Sequence, residues 1–191
     1  KKIIEKKRCE ILLSKEIFID KIWKKKLNRI NKKIFIRETK YSGISFKNKI
    51  KDIKKILKKK RINNFFFSSP ESISWLLNIR SNEIKYTPVV LSFLLLNLND
   101  KSYFCGKKNE NLEKYLGSYF NIFNINDLKE VLINFSITNK EIYLDPNQTP
   151  YFIENFFKTL GVDVKYSDDP CVNLKLIKNF TEIKGSRNSH I

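Results

Sequence analysis

Few side chains of the kinds that usually perform catalysis occur in this sequence of 191 residues. The single histidine, His190, is the second residue from the end, and the three cysteines are far apart in the sequence, so we expect them to be reduced thiols. Asp168 and Asp169 are adjacent and project differently, and this favours capping of a helix over binding of a metal. The glycines stand alone, which excludes a phosphate-binding glycine loop. We therefore expect that this segment is not a complete enzyme.

The most distinctive polar residues lie in the stretch WLLNIRSNEIKYTPVV, residues 75–90. Both of its ends are apolar, as in buried segments, whereas its centre carries charged and amide side chains together with Arg80, Tyr86 and Pro88. Binding groups often lie on loops held between rigid elements. The pattern predicts a loop that contributes to a substrate pocket, with Trp75 packed in the core.

The formal net charge of +18 raises the question of a polyanionic partner such as nucleic acid. The composition offers a different explanation, because alanine and methionine are absent while Lys, Asn, Ile and Phe, which have A/T-rich codons, are abundant. The lysines are scattered over most segments, and the aromatic run at residues 65–67 lies inside an apolar element. We therefore favour genomic bias as the origin of the charge, and nucleic acid is not the expected partner.

Size and hydropathy indicate a soluble domain with a core. The longest apolar run, PVVLSFLLL, is far shorter than the roughly 20 residues of a membrane-spanning helix, and no signal-peptide region follows the basic start. We expect no membrane contact and a cytoplasmic location. Because the sequence starts Lys-Lys and ends after a helical-looking run, we also expect an internal piece of a longer protein.

Predicted strands and helices alternate from about residue 33 to residue 166, with one hairpin, and this pattern predicts an α/β fold in which helices pack on a mixed β-sheet. The clearest helix covers residues 45–60, where an apolar stripe faces lysines that we expect to be solvated. Further predictions are a helix that starts after Ser69, a strand that begins at Pro88, and a helix capped by Asn126. Near the start, we expect a strand at residues 9–13, then a helix, and a domain boundary around residues 24–33.

The segment WLLNIRSNEIKYTPVVLSFLLL resembles the middle domain of the long, three-domain form of the Xaa-Pro aminopeptidases. In that family a helix ending Trp-Leu-Leu-Asn-Leu-Arg is followed by Gly-Ser-Asp, then by Tyr-Asn-Pro-Val and a strand. Ser81-Asn82-Glu83 and Thr87 depart from that pattern. The residues that fit it are Trp75, Leu76, Leu77, Asn78, Arg80, Tyr86, Pro88 and Val89.

Two further stretches are similar to the same family, in the same order. LKLIKNFTEIKGSRNSHI looks like the opening of the catalytic domain, and IFIDKIW looks like the link between the first two domains. The resemblance implies that residues 1–30 are the tail of a first domain and that residues 33–175 form a creatinase/prolidase N-terminal-like domain with a ribonuclease H-like motif. Residues 179–191 would then be the first helix of a truncated "pita-bread" catalytic domain.

The resemblance also implies a function for the parent protein. Its catalytic domain holds two divalent metals, usually manganese, which activate a water that attacks the peptide bond before proline; none of those ligands lies in this chain, and His190 matches a residue of the opening helix. The present segment would be non-catalytic and would restrict and position the peptide substrate, with Arg80, Tyr86 and Pro88 lining the pocket. The missing catalytic domain is then a partner, and a homodimer is left open.

Several alternatives stay open at this level. Arg80 could form an interdomain salt bridge, and Tyr86 could pack against Pro88 at the strand entrance. The chain could also be a basic α/β module that binds nucleic acid, or an interaction domain of a family member that lacks the metal ligands.

Overall fold

The computed structural model describes residues 18–23 and 33–190. The chain divides into two compact units, Lys1–Asn31 and Lys32–Ile191. In the first unit the described part is helix α1 (Phe18–Ile22), where a helix is predicted. The predicted strand at residues 9–13 lies outside the described residues, as does nearly all of the predicted boundary at 24–33.

The second unit alternates strands and helices, as predicted. Its described strands are β1 (Ile34–Ile36), β2 (Asn64–Phe67), β3 (Ile79–Ser81), β4 (Phe93–Asn97), β5 (Ser102–Cys105), β6 (Phe120–Phe123), β7 (Glu141–Leu144) and β8 (Asp163–Tyr166). Its described helices are α2 (Thr39–Ser42), α3 (Phe46–Lys59), α4 (Pro70–Leu76), α5 (Glu110–Leu116), α6 (Leu128–Thr138), α7 (Tyr151–Thr159), α8 (Cys171–Leu176) and α9 (Phe180–Asn188). A short 3₁₀ turn, Ile125–Asp127, precedes α6.

Six of the strands form one mixed sheet in the order β6-β5-β4-β2-β7-β8. Strand β4 runs antiparallel to both of its neighbours, and the other pairs are parallel. The β4–β5 hairpin is the predicted one. Strands β1 and β3 form a separate antiparallel pair in which Phe35 faces Arg80. The predicted α/β fold with a mixed sheet is confirmed.

Helices cover both faces of the sheet. On β2, Phe65 and Phe67 belong to one core cluster, whereas Phe66 between them belongs to the other. The first cluster includes apolar side chains of α3, α4 and α5, and the second includes those of α6 and α7. Because successive side chains of a strand point to opposite faces, a strand buried on both sides is apolar throughout. This explains the run of three phenylalanines, which lies in the core as predicted.

Several local signals act as the sequence predicts. The Ser69 hydroxyl accepts a hydrogen bond from the backbone N–H of Ser72 at 3.3 Å, and Pro70 occupies the first turn of α4.

Two of the cysteines, Cys105 and Cys171, are buried and free, and Cys9 lies outside the described residues. No helix in the described ranges is long and apolar enough to cross a membrane.

The predicted strand beginning at Pro88 is wrong in its start, because β4 begins at Phe93. The backbone N–H of Val90 donates to the Ser74 hydroxyl at 2.8 Å, and that of Leu91 donates to the Glu83 carboxylate at 3.1 Å. Side chains therefore accept hydrogen bonds from these two backbone N–H groups, which in a β-strand would donate to a neighbouring strand.

Two further predictions need correction. The predicted cap at Asn126 is wrong, because Asn126 lies inside the 3₁₀ turn that starts after Asn124, and the residue before α6 is Asp127. The backbone N–H of Asn124 donates to the Asp127 carboxylate at 3.2 Å. Residues 79–81, predicted as part of a loop, form strand β3, which pairs with β1. Arg80 is consequently held by a strand, which fixes its backbone more firmly than a loop would.

Candidate functional site

An open cavity of about 660 Å³ lies in the second unit, next to the β1–β3 pair. It brings together residues from five elements and one connection that are distant in the sequence. The charged and aromatic residues of its lining are Arg37, Tyr41, Lys49, Trp75, Arg80 and Glu182.

The turn between α4 and β3 connects two residues of this lining, Trp75 and Arg80. Asn78 has a φ of 52° and is only 1% exposed, and amide side chains tolerate this left-handed backbone better than most others. Its side-chain oxygen accepts a hydrogen bond from the Lys49 Nζ at 2.8 Å, and its side-chain nitrogen donates to the Ile44 carbonyl at 2.8 Å. The Asn of the Trp-Leu-Leu-Asn sequence is therefore the residue that joins the turn to helix α3.

Lys49 is almost fully buried, at 3% exposure, although the lysines of α3 are predicted to be solvated. Its Nζ donates to the Trp75 carbonyl at 2.8 Å and lies 4.1 Å from the Trp75 ring centroid, a cation–π contact. Burial lowers the pKa of Lys49 to about 8; the carboxylate of Glu182 opposes this effect, and the positive charge of Arg80 adds to it. The solvation prediction is thus wrong for Lys49.

Arg80 is half-buried and faces the cavity. Its Nη1 donates to the carbonyls of Ser74 at 2.7 Å and Ile79 at 2.8 Å, so the guanidinium is fixed by backbone atoms. Burial lowers its pKa, and the nearby charge of Arg37 lowers it further. Within the described part of the chain, no carboxylate forms an ion pair with Arg80.

Helix α9 also contributes to the lining. Asn179 and Glu182 make a reciprocal capping box at its start, and the Asn179 side chain also donates to the Ser42 carbonyl at 2.9 Å. The indole nitrogen of Trp75 donates to Glu182 Oε1 at 3.4 Å. Two residues of the Lys-Asn-x-x-Glu-Ile pattern thus attach α9 to α2 and α4, and Trp75 is half-buried at this contact as well as packed on the core.

Tyr86 and Pro88 lie away from this cavity's lining. Tyr86 is 90% exposed with a φ of 64°, and its ring contacts the Lys85 ammonium at 4.8 Å. Pro88 is exposed in the same loop. Of the three predicted pocket residues, the structure places Arg80 at the cavity and the other two on the surface; their contact with substrate stays a prediction.

Sequence reasoning missed Lys49 and Glu182 as members of this site. A signal for Lys49 was available, because it stands three residues after Phe46 and four before Ile53, on the apolar face of α3. Arg37 and Arg80 line the same cavity as Glu182 because β1 pairs with β3 and α9 packs against α2 and α4. No local sequence pattern predicts these long-range contacts.

No group of three or more His, Cys, Asp or Glu side chains in the described ranges is arranged to hold a metal ion. His190 is exposed, and its Nδ1 lies 2.8 Å from the Ser186 carbonyl. The described residues therefore do not fit a di-metal centre. The cavity can bind a ligand through charge and hydrogen bonds.

Comparison with known proteins gives a consistent result. The family model of the creatinase/prolidase N-terminal domain matches residues 10–182. A probable Xaa-Pro aminopeptidase P of Leptosphaeria maculans is 30% identical over 98% of this chain, which covers 33% of that protein. Xaa-Pro aminopeptidase 1 of Dictyostelium discoideum is 30% identical over 83% of this chain, which covers 25% of that protein. The chain therefore spans about a third or less of these curated relatives.

Among solved structures, an X-prolyl aminopeptidase from Caenorhabditis elegans, described as a cytosolic enzyme with a di-nuclear active site, has a similar fold. The TM-score is 0.81 at 19% identity, over 99% of this chain and 32% of that one. The similarity confirms the predicted fold. Since the family model matches most of the sequence, the chain belongs to the creatinase/prolidase N-terminal domain family.

Proposed function

We propose that this chain is the non-catalytic N-terminal and middle part of a metal-dependent Xaa-Pro aminopeptidase. The observation that carries the proposal is the match of residues 10–182 to the family model, together with relatives named Xaa-Pro aminopeptidase that are about three times as long. Residues 1–30 would end a first domain, residues 33–175 would form the middle domain, and residues 179–191 would open the catalytic domain.

The contacts of α9 support this division of the chain into a middle domain and the start of a catalytic domain. Asn179 and Glu182 connect the start of the helix to Ser42 and to Trp75, so the segment that leads into the catalytic domain is fixed in direction. A helix anchored at its first turn can hold the catalytic domain at a defined angle to the middle domain. The middle domain would then cover the mouth of the active site and restrict it to the ends of peptide chains.

The parent protein would remove the residue that precedes proline at an N-terminus. A pair of divalent metals, for which we propose manganese, would supply an activated water when bound. The di-nuclear site and cytosolic location described for the nematode enzyme support the metal pair and a cytoplasmic location. The metal ligands would belong to other parts of the longer protein, and peptides with proline in second position would be the substrates.

The test is an aminopeptidase assay on an Xaa-Pro-Xaa peptide with added manganese. It compares this 191-residue chain with the longer protein that continues through the catalytic domain. We expect hydrolysis by the longer protein only. An inactive longer protein that is folded and loaded with manganese would overturn the assignment and would favour an interaction domain.

Tyr86 then tests substrate positioning in the active longer protein. Because its side chain is almost fully exposed, Tyr86→Ala should leave the stability unchanged and lower kcat/KM if the ring contacts the peptide. Tyr151→Ala is the matched control, since Tyr151 is also exposed, at the start of α7. Equal kcat/KM values for the two variants would show that the Tyr86 ring does not contact the peptide substrate.

A further inference from the structure

Three cationic side chains line the 660 Å³ cavity, and one carboxylate accompanies them. The cations are Arg37, Lys49 and Arg80, and the carboxylate is Glu182. None of the three cations lies within 4.0 Å of a carboxylate oxygen belonging to residues 18–23 or 33–190. The cavity therefore carries an excess of positive charge that the described side chains do not neutralise by contact.

The single carboxylate is already engaged. One oxygen of Glu182 accepts the Trp75 indole N–H at 3.4 Å, and the other accepts the backbone N–H of Asn179 at 3.0 Å. These bonds hold Glu182 at the first turn of α9, where a negative charge also stabilises the helix dipole. Glu182 therefore fixes the start of the helix, and its charge reaches Lys49 and Arg80 through space without an ion pair.

The cations repel one another at a cost to the fold. Burial lowers the pKa of Lys49 most; the charge of Glu182 opposes this, and the charges of Arg80 and Arg37 add to it. Burial and the charge of Arg37 lower the pKa of Arg80, and Glu182 opposes them without contact. Lys49 is buried and Arg80 is half-buried, with no carboxylate of the described part of the chain in contact, and desolvation of a charge is unfavourable unless an opposite charge offsets it. An anion in the cavity would offset both the desolvation and the repulsion.

The donors that face the cavity suit an oxyanion. Arg80 uses Nη1 for two backbone carbonyls and makes no hydrogen bond from Nη2 or Nε to the described residues. The Arg37 guanidinium is exposed and lies 5.7 Å from the Tyr41 ring centroid, which orients it without occupying its donors. Guanidinium groups form bidentate hydrogen bonds with carboxylates and phosphates.

We propose that this cavity is a binding site for an oxyanion, either a carboxylate or a phosphate group, bound by the guanidinium groups of Arg37 and Arg80, with Lys49 adding charge. The site goes beyond the proposed function, since binding of the anion requires neither metal nor peptide hydrolysis. Lys49 is itself held in place by Asn78 and Trp75, so the site is formed before a ligand arrives.

The test titrates the 191-residue chain with inorganic phosphate and, separately, with succinate, at an ionic strength kept constant with sodium chloride. Isothermal calorimetry measures the affinity and should show saturation, and the midpoint of thermal unfolding should rise with the logarithm of the anion concentration once the site is filled. Arg37→Gln should weaken binding about tenfold, the effect of one lost charge-assisted hydrogen bond. Lys101→Gln is the matched control, because it removes one exposed charge in the turn between β4 and β5 and should bind normally.

A second variant separates charge from geometry. Arg80→Lys keeps the positive charge but loses the planar fork, so it should bind more weakly while circular dichroism confirms that it is folded. The preferred anion distinguishes a carboxylate ligand from a phosphate ligand. Non-saturating uptake, equal weakening by Arg37→Gln and Lys101→Gln, or no uptake of either anion would overturn the proposal. The binding test involves no peptide hydrolysis, so none of these outcomes would affect the assignment to Xaa-Pro aminopeptidases. That assignment is tested separately by the aminopeptidase assay.

Discussion

Replacement of Lys49 should change how the stability of the fold depends on pH. The pKa of Lys49 falls from 10.5 to about 8 on folding, because the ammonium is buried. Between these two values the unfolded chain binds more protons than the folded chain does, so the free energy of unfolding rises as pH increases from 8 to 10.5. Below pH 8 the folded protein carries the full cost of the buried charge.

The magnitude is set by the separation of the two pKa values. One pH unit corresponds to about 1.4 kcal/mol, so Lys49 should add about 3 kcal/mol to the free energy of unfolding across this range. Lys49→Met removes that increase. At neutral pH the variant loses the bonds to Trp75 and Asn78 but also the cost of a buried charge, and these effects are of similar size. The difference between the pH profiles is therefore more informative than the stability at one pH.

Urea unfolding, followed by circular dichroism at several pH values between about 7 and 10.5, measures the effect. The stabilities of wild type and Lys49→Met should diverge with rising pH, in favour of the wild type. Lys51→Met is the control, because Lys51 is exposed on the same helix, and its profile should stay parallel to that of the wild type. Parallel profiles for wild type and Lys49→Met would refute the burial of Lys49 as a cation.

Two other substitutions test the helix docking and the core, each by urea unfolding. Gly43 has a φ of 72°, and an added Cβ would lie 2.3 Å from the Asn179 side chain. Gly161 has a φ of 73°, but no atom lies within 4 Å of an added Cβ. Gly43→Ala should therefore lower the free energy of unfolding more than Gly161→Ala does. Backbone strain alone, of about 1 kcal/mol, is expected at Gly161; equal losses would deny a close Gly43–Asn179 contact. Phe157→Ala should lower the free energy of unfolding by about 3–5 kcal/mol, because this ring is fully buried. Phe152→Ala, which removes a half-exposed ring on the same helix, should lower it much less. Similar losses for the two variants would place Phe157 outside the core.

Local chemistry made much of the fold predictable. Ser69 and Pro70 define the start of α4 through a hydrogen bond and a fixed φ, both of which act within one turn. Likewise, apolar runs such as Phe65–Phe67 indicate strands buried on both faces, and their alternation with helices predicts the layered sheet. The resemblance of three short motifs in the same order also sufficed to predict the family; two of them hold the Asn78 turn and the Asn179 capping box.

The tertiary structure alone decided which distant groups meet. The start of β4 depends on the Ser74 and Glu83 side chains, which take the backbone donors of the preceding residues away from the sheet. Arg80 faces a cavity because β3 pairs with β1, and no local pattern specifies that pairing.

The sequence by itself therefore determined the elements, because caps, turns and side-chain periodicity act over a few residues, and the resemblance of its motifs indicated the family. The tertiary structure decided the burial of Lys49 and the convergence of positive charge, because desolvation and Coulomb interactions depend on distances through space.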